Sequence, residues 1–220
     1  MNAMSSPPRD YSLYALLATN VLIIALAVLQ RWNFLDVLMV YWFQSVIIGI
    51  FAVVTMVTGP LPPGNSGADG VEINGRAVDT AKPGARFILP VFFCVHYGLF
   101  HLVYLVFILV FLSMSKDSLD LPGIFLSVLL FGATHGYSWW LTRKVPQDPN
   151  KVFNAPYGRI VPMHLTIILA GFLLAALPAQ AGPLLILSLM ALKTGVDARE
   201  HIRKRNALVW DGVNRFEPLE

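Results

Sequence analysis

Six stretches of this chain are apolar for long enough to cross a lipid bilayer, which sets most of what it can fold into. A helix rises ~1.5 Å per residue, so about 20 residues traverse ~30 Å of hydrocarbon. The runs are Tyr11–Gln30, Leu35–Thr58, Phe87–Ser113, Pro122–Thr142, Val161–Ala179 and Gly182–Asp197, the last continuing as a helix to about Arg205. Composition agrees, with 56% of residues hydrophobic and 13% charged, where a water-soluble domain carries about a quarter charged. The expected fold is therefore all-α, a six-transmembrane-helix bundle in which residues 1–220 form a single integral-membrane domain. The first run has no small-residue cleavage exit and reads as a retained span. Cys94 is the only cysteine, which rules out an intrachain disulfide and a cysteine-based metal cluster.

Basic residues orient the bundle. Of the 16 Lys and Arg residues, thirteen fall in the amino terminus, the second–third link, the fourth–fifth link and the carboxyl tail. The opposite links carry only Arg31 and Lys116, and Lys193 lies within a span. The positive-inside rule places both termini in the cytoplasm. These charges mark topology rather than a nucleic-acid surface, so no nucleic-acid partner is expected. Residues 59–86, rich in Gly, Pro, Asn and Asp, are expected to form a flexible cytoplasmic loop, and 206–220 a cytoplasmic tail.

Against this apolar background the ionisable residues stand out, because each costs a few kcal/mol or more at membrane depth and so marks a functional site by default. From the cytoplasmic face, His164 lies about 5 Å deep, His135 about 10 Å and His96 about 15 Å, with Lys193 about 10 Å and Asp197 about 5 Å deep on the last span. Four helices thus contribute polar groups to the cytoplasmic half. Lys193, Asp197, His201 and Arg205 recur every fourth residue and form one stripe on one helix face. Asp197 and His201 can bind a cation together; a ladder in which Lys193 pairs with Asp197 is the commoner arrangement. Imidazole suits transition metals and haem. His96 and His135 are the candidate haem pair, and His135, His164, Asp197 and His201 the candidate metal set. Lys193 and Arg159 are positioned to hold an anionic group, though Arg159 equally suits a topology anchor. Gln44, Tyr97 and His101 are candidates for lining a polar pocket, His101 lying beyond the midplane with Tyr97 and Tyr104 on the same strip.

Pairs of small residues, Ser45 with Gly49, Gly132 with Gly136 and Gly171 with Ala175, are spaced for close helix packing. Trp42, Trp139, Trp140 and Tyr157 read as interfacial aromatics.

Several strings together resemble an uncharacterised family of bacterial integral-membrane proteins. They are Tyr41-Trp42-Phe43-Gln44 with Ile47-Ile48-Gly49, His96-Tyr97-Gly98-Leu99-Phe100, Pro156-Tyr157-x-Arg159-Ile160 with His164, and Lys193-Thr194-x-x-Asp197 with His201. The resemblance covers most of the spans but not the 59–86 loop, and it implies fold and a multi-pass location in the bacterial inner membrane, not an activity. This chain has Gln44 where that family's Tyr-Trp motif carries an acid, and Tyr104 in place of a histidine; both departures weaken a metal centre. The sharpest functional expectation is a histidine-rich site in the cytoplasmic half that binds a transition metal or haem for redox or hydrolytic chemistry. A small proton-coupled transporter and a structural subunit of a membrane complex are the alternatives. The lipid bilayer is the expected partner, with a homo-oligomer or larger membrane complex left open.

Overall fold

The computed structural model describes residues 11–62, 64, 67–68, 70–73, 75–79, 84–114, 118–158, 160 and 182–210. Six helices and one hairpin make up the described elements: α1 Ser12–Leu29, α2 Phe34–Thr58, β1 Glu72–Ile73, β2 Arg76–Ala77, α3 Ala85–Met114, α4 Leu121–Thr142, α5 Pro149–Asn154 and α6 Gly182–Trp210. The first four expected spans begin and end within two residues of the observed helices. Hydrocarbon offers the backbone no water, so an apolar run of crossing length closes its own hydrogen bonds as a helix.

Four of these helices, α1 to α4, are long and apolar enough to cross a membrane among the described residues. The helix α6 is continuous across 29 residues, but its second half is charged and it does not meet that criterion. The fifth expected span, 161–179, lies outside the described residues. The described residues are thus mostly helical, with four helices both long and apolar enough to cross a membrane. Its outer surface agrees: Val91, Phe92, Val95, Leu99, Leu102 and Val103 on α3 are all exposed. An apolar face of that extent suits lipid and not water.

The helix α2 is central. It packs against α3, α4, α5 and α6, while α1 packs against α4 and α6. The spaced small residues make the approach of α3 possible. At Gly49 an added Cβ would fall 2.5 Å from Tyr97 Cε1, so the Tyr97 ring occupies the space a side chain would need. Its hydroxyl donates to the Ser45 carbonyl at 2.8 Å. Gly132 and Gly136 on α4 instead meet the tips of Ile47 and Phe51 of α2 at ordinary van der Waals distance.

Capping sets where the helices start. Asn33 and Asp36 form a capping box: Asn33 Oδ1 accepts from the Asp36 amide at 3.0 Å and Asp36 Oδ2 from the Asn33 amide at 2.9 Å. The other oxygen of Asp36 accepts from the Asp120 amide at 2.8 Å, and Asp120 caps α4 through the Gly123 amide at 3.2 Å. Trp32 Nε1 donates to Asp120 Oδ2 at 2.8 Å. One buried carboxylate therefore joins the beginnings of α2 and α4. Because α3 begins at Ala85, Pro90 lies inside the helix, where its missing N–H leaves the Arg86 carbonyl without its usual intrahelical donor.

The 59–86 link carries more structure than its composition predicts. Glu72 pairs with Ala77 and Ile73 with Arg76 in an antiparallel hairpin, turned at Gly75, whose φ of 73° favours glycine. Arg86 Nη2 donates to the Gly59 carbonyl at 2.6 Å, holding the two ends of the link together.

Candidate functional site

The four-residue recurrence on α6 produces a buried polar face. Lys193, Asp197, His201 and Arg205 are 9%, 3%, 6% and 4% exposed, so the stripe points into the bundle. Lys193 Nζ lies 2.6 Å from Asp197 Oδ2 and donates to Asn20 Oδ1 of α1 at 3.2 Å. The ammonium also sits over two rings, 4.8 Å from the centroid of Phe131 and 5.5 Å from that of Tyr41. Two turns further along, His201 Nε2 and Ser12 Oγ are 2.8 Å apart. The spacing of Ser12 and Asn20 on α1 equals that of Lys193 and His201 on α6, as two antiparallel helices in register require. The same register sets Leu16 opposite Asp197, and Ile23 and Ala27 opposite Met190 and Ile186. The polar file therefore ends at the Lys193 level, where the α1–α6 seam becomes apolar.

Beside the Ser12–His201 end of this seam lies a cavity of about 520 Å³. Phe51, His135 and Trp139 form a ring-lined wall, with ring centroids 6.3 Å apart for Phe51–His135 and 6.1 Å for Phe51–Trp139. Leu16, Ala52 and Val152 add aliphatic surface, and Thr55, Ser138 and His201 add polar groups. The rim holds Asp148, Lys151, Glu200 and Arg203. The short helix α5, absent from the expected elements, supplies part of this rim; Asp148 starts it by accepting from the Asn150 amide at 2.9 Å, with Pro149 in the first turn.

The candidates from sequence separate into three places. His135 and His201 share the cavity. Lys193 and Asp197 lie deeper on the same α6 face, paired with each other as the ladder reading expects. His96 is elsewhere: it lies between Phe92, stacked at 5.5 Å, and Phe100, edge-on at 5.1 Å, and its Nδ1 is 2.8 Å from the Tyr157 hydroxyl. Burial pushes the Tyr157 phenol above its usual range, so the hydroxyl keeps its proton. His96 does not line the cavity that His135 lines, and the expected haem pair is not brought to one chamber. His164 and Arg159 lie outside the described residues. Among the described residues, no three His, Cys, Asp or Glu side chains come together as a metal-binding group.

Two of the pocket candidates, Tyr97 and His101, meet on α3. His101 Nδ1 is 2.9 Å from the Tyr97 carbonyl, which can only accept, so Nδ1 carries the proton. Its ring stacks on Tyr97 at 4.2 Å, and Trp42 Nε1 donates to the His101 carbonyl at 2.9 Å. Tyr104, expected on the same strip, is buried on α3. Gln44 is 2% exposed, and neither atom of its amide has a hydrogen-bond partner among the described residues. Residues that sequence reasoning passed over are Asn20, Asp36 and Ser12. Asn20 and Asp36 are single polar residues inside apolar runs, the same signal that singled out the histidines; Ser12 at a span entrance carries no signal of its own.

Comparison with curated proteins and with solved structures returns no match. The family resemblance read from the motifs holds, as residues 2–208 match a family of unknown function. With the buried α6 face and the cavity both inside that range, the chain belongs to the family DUF6498.

Proposed function

We propose that this protein is a multi-pass protein of the bacterial inner membrane, with cytoplasmic termini, that binds a small organic molecule in the cavity beside Ser12 and His201. The observation that carries the proposal is the cavity itself. Its volume of about 520 Å³ falls in the range of small-molecule sites, which are concave, mostly apolar and furnished with a few polar groups (roughly 300–1,000 Å³). Its walls come from α1, α2, α4, α5 and α6, so most of the described bundle is needed to build it. The basic residues of the second–third and fourth–fifth links and of the tail support a cytoplasmic mouth. The cavity keeps two of the histidines of the expected histidine-rich site. The spread of His96, His135 and Asp197 over separate places favours an organic ligand over haem or a three-ligand metal centre. The polar file ends in an apolar seam, which favours a one-sided binding site over a relay through the membrane.

The test uses protein extracted gently and released intact into a mass spectrometer. Ala52, on the α2 side of the cavity, is replaced by phenylalanine to fill it. Wild type is expected to carry a small organic adduct, or to acquire one from a membrane lipid extract, and Ala52→Phe to remain bare. Val95→Phe, on the exposed face of α3, serves as the control that keeps the adduct. Identical spectra for wild type and Ala52→Phe would sink the proposal.

A further inference from the structure

Resting on that reading of the cavity, we infer that its ligand is an uncharged amphiphile with a flat apolar body and a head group that donates a hydrogen bond. The body follows from the wall. Phe51, His135 and Trp139 present rings about 6 Å apart, and Leu16, Ile48 and Ala52 fill the rest with aliphatic surface. Flat apolar groups gain both burial and ring contact there.

The absence of net charge follows from the rim. It carries two acids, Asp148 and Glu200, and two bases, Lys151 and Arg203. Glu200 Oε2 is 2.8 Å from Arg203 Nη2, and Asp148 is engaged in capping α5. Neither sign is in excess. A charged head would meet as much like charge as counter-charge at this rim, so neither sign is selected there.

The donor follows from the threonines. Thr55 Oγ1 donates to the Phe51 carbonyl at 2.7 Å, and Thr134 Oγ1 to the Leu130 carbonyl at 2.9 Å. Each hydroxyl has one hydrogen, and both are spent within their own helices. Thr134 then accepts from Thr19 at 2.8 Å. Thr55 lines the cavity and keeps acceptor lone pairs, so the ligand head that meets it must supply the hydrogen.

Two fluorescent probes of one skeleton test this: N-phenyl-1-naphthylamine, uncharged with an N–H donor, and 8-anilinonaphthalene-1-sulfonate, the same rings bearing an anion. Each is titrated into protein in lipid nanodiscs, with empty nanodiscs subtracted. The uncharged amine is expected to bind saturably, and the sulfonate at least about tenfold more weakly. Thr55→Val, which keeps shape and removes the acceptor, is expected to weaken the amine roughly three- to tenfold, at an unchanged thermal midpoint of the folded protein. Ala52→Phe is expected to abolish saturable binding of both. Sulfonate binding as tight as the amine overturns the uncharged head, and amine affinity unmoved by Thr55→Val in a folded protein overturns the donor. If both probes bind and Ala52→Phe blocks them, the cavity stands whatever the ranking. If neither binds saturably, the cavity reading fails with the inference.

Discussion

Asn20 Oδ1 accepts a hydrogen bond from Lys193 Nζ at 3.2 Å, tying the first helix to the last across 173 positions of chain. The ammonium is also paired with Asp197 one turn along its own helix and roofed by Phe131 of α4 and Tyr41 of α2, so four helices contribute to its surroundings. The cost of burying a charge in such a place falls on whichever partner is left behind when the other is removed.

Lys193→Met therefore strands the Asp197 carboxylate. The expected loss is about 3–5 kcal/mol, read as a fall in thermal midpoint in detergent. Replacing both, Lys193→Met with Asp197→Leu, is expected to recover most of that loss, because an apolar pair of similar volume has no desolvation to offset. A double variant as unstable as the single one would show that the ion pair itself, not the stranded charge, carries the stability.

At the opposite end, Asp36 is 2% exposed and accepts from the Asn33 and Asp120 amides at once. Asp36→Ala removes the cap of α2 and the link to the start of α4. Hydrogen bonds to a charged acceptor are worth about 1.5–3 kcal/mol each, so a loss of about 3 kcal/mol is expected. Asp36→Asn keeps one acceptor oxygen, turns its NH2 against the other amide, and should recover less than half. Equal stability of wild type and Asp36→Ala would mean that water replaces both contacts.

Cysteine labelling checks the orientation. With Cys94 replaced by serine, single cysteines are placed at Gly70, in the second–third link, and at Ser118, just before α4. A membrane-impermeant maleimide applied to right-side-out cells is expected to label Ser118→Cys and to reach Gly70→Cys only after the membrane is opened. The reverse pattern would place the termini outside.

Sequence alone determined where the long described helices run. The limits of α1 to α4, and the helical continuation of α6 beyond the expected span, were legible because a backbone in hydrocarbon must bond to itself, whatever its neighbours. The stripe of Lys193, Asp197, His201 and Arg205 was legible too, since four-residue spacing on a helix needs no partner to define a face. Tertiary structure decided what each of those groups meets. His96 and His135, at similar depths by counting residues, are separated because they lie on different sides of the central α2, and depth carries no information about rotation about the bundle axis. Ser12 acquired its role only by lying opposite His201, and the cavity exists only where five elements leave space between them. Such pairings rest on side-chain shape and hydrogen bonds between residues far apart in the chain. In a bilayer the apolar effect that drives helix formation barely distinguishes one helix neighbour from another, so which helix faces which was settled by packing and not by pattern.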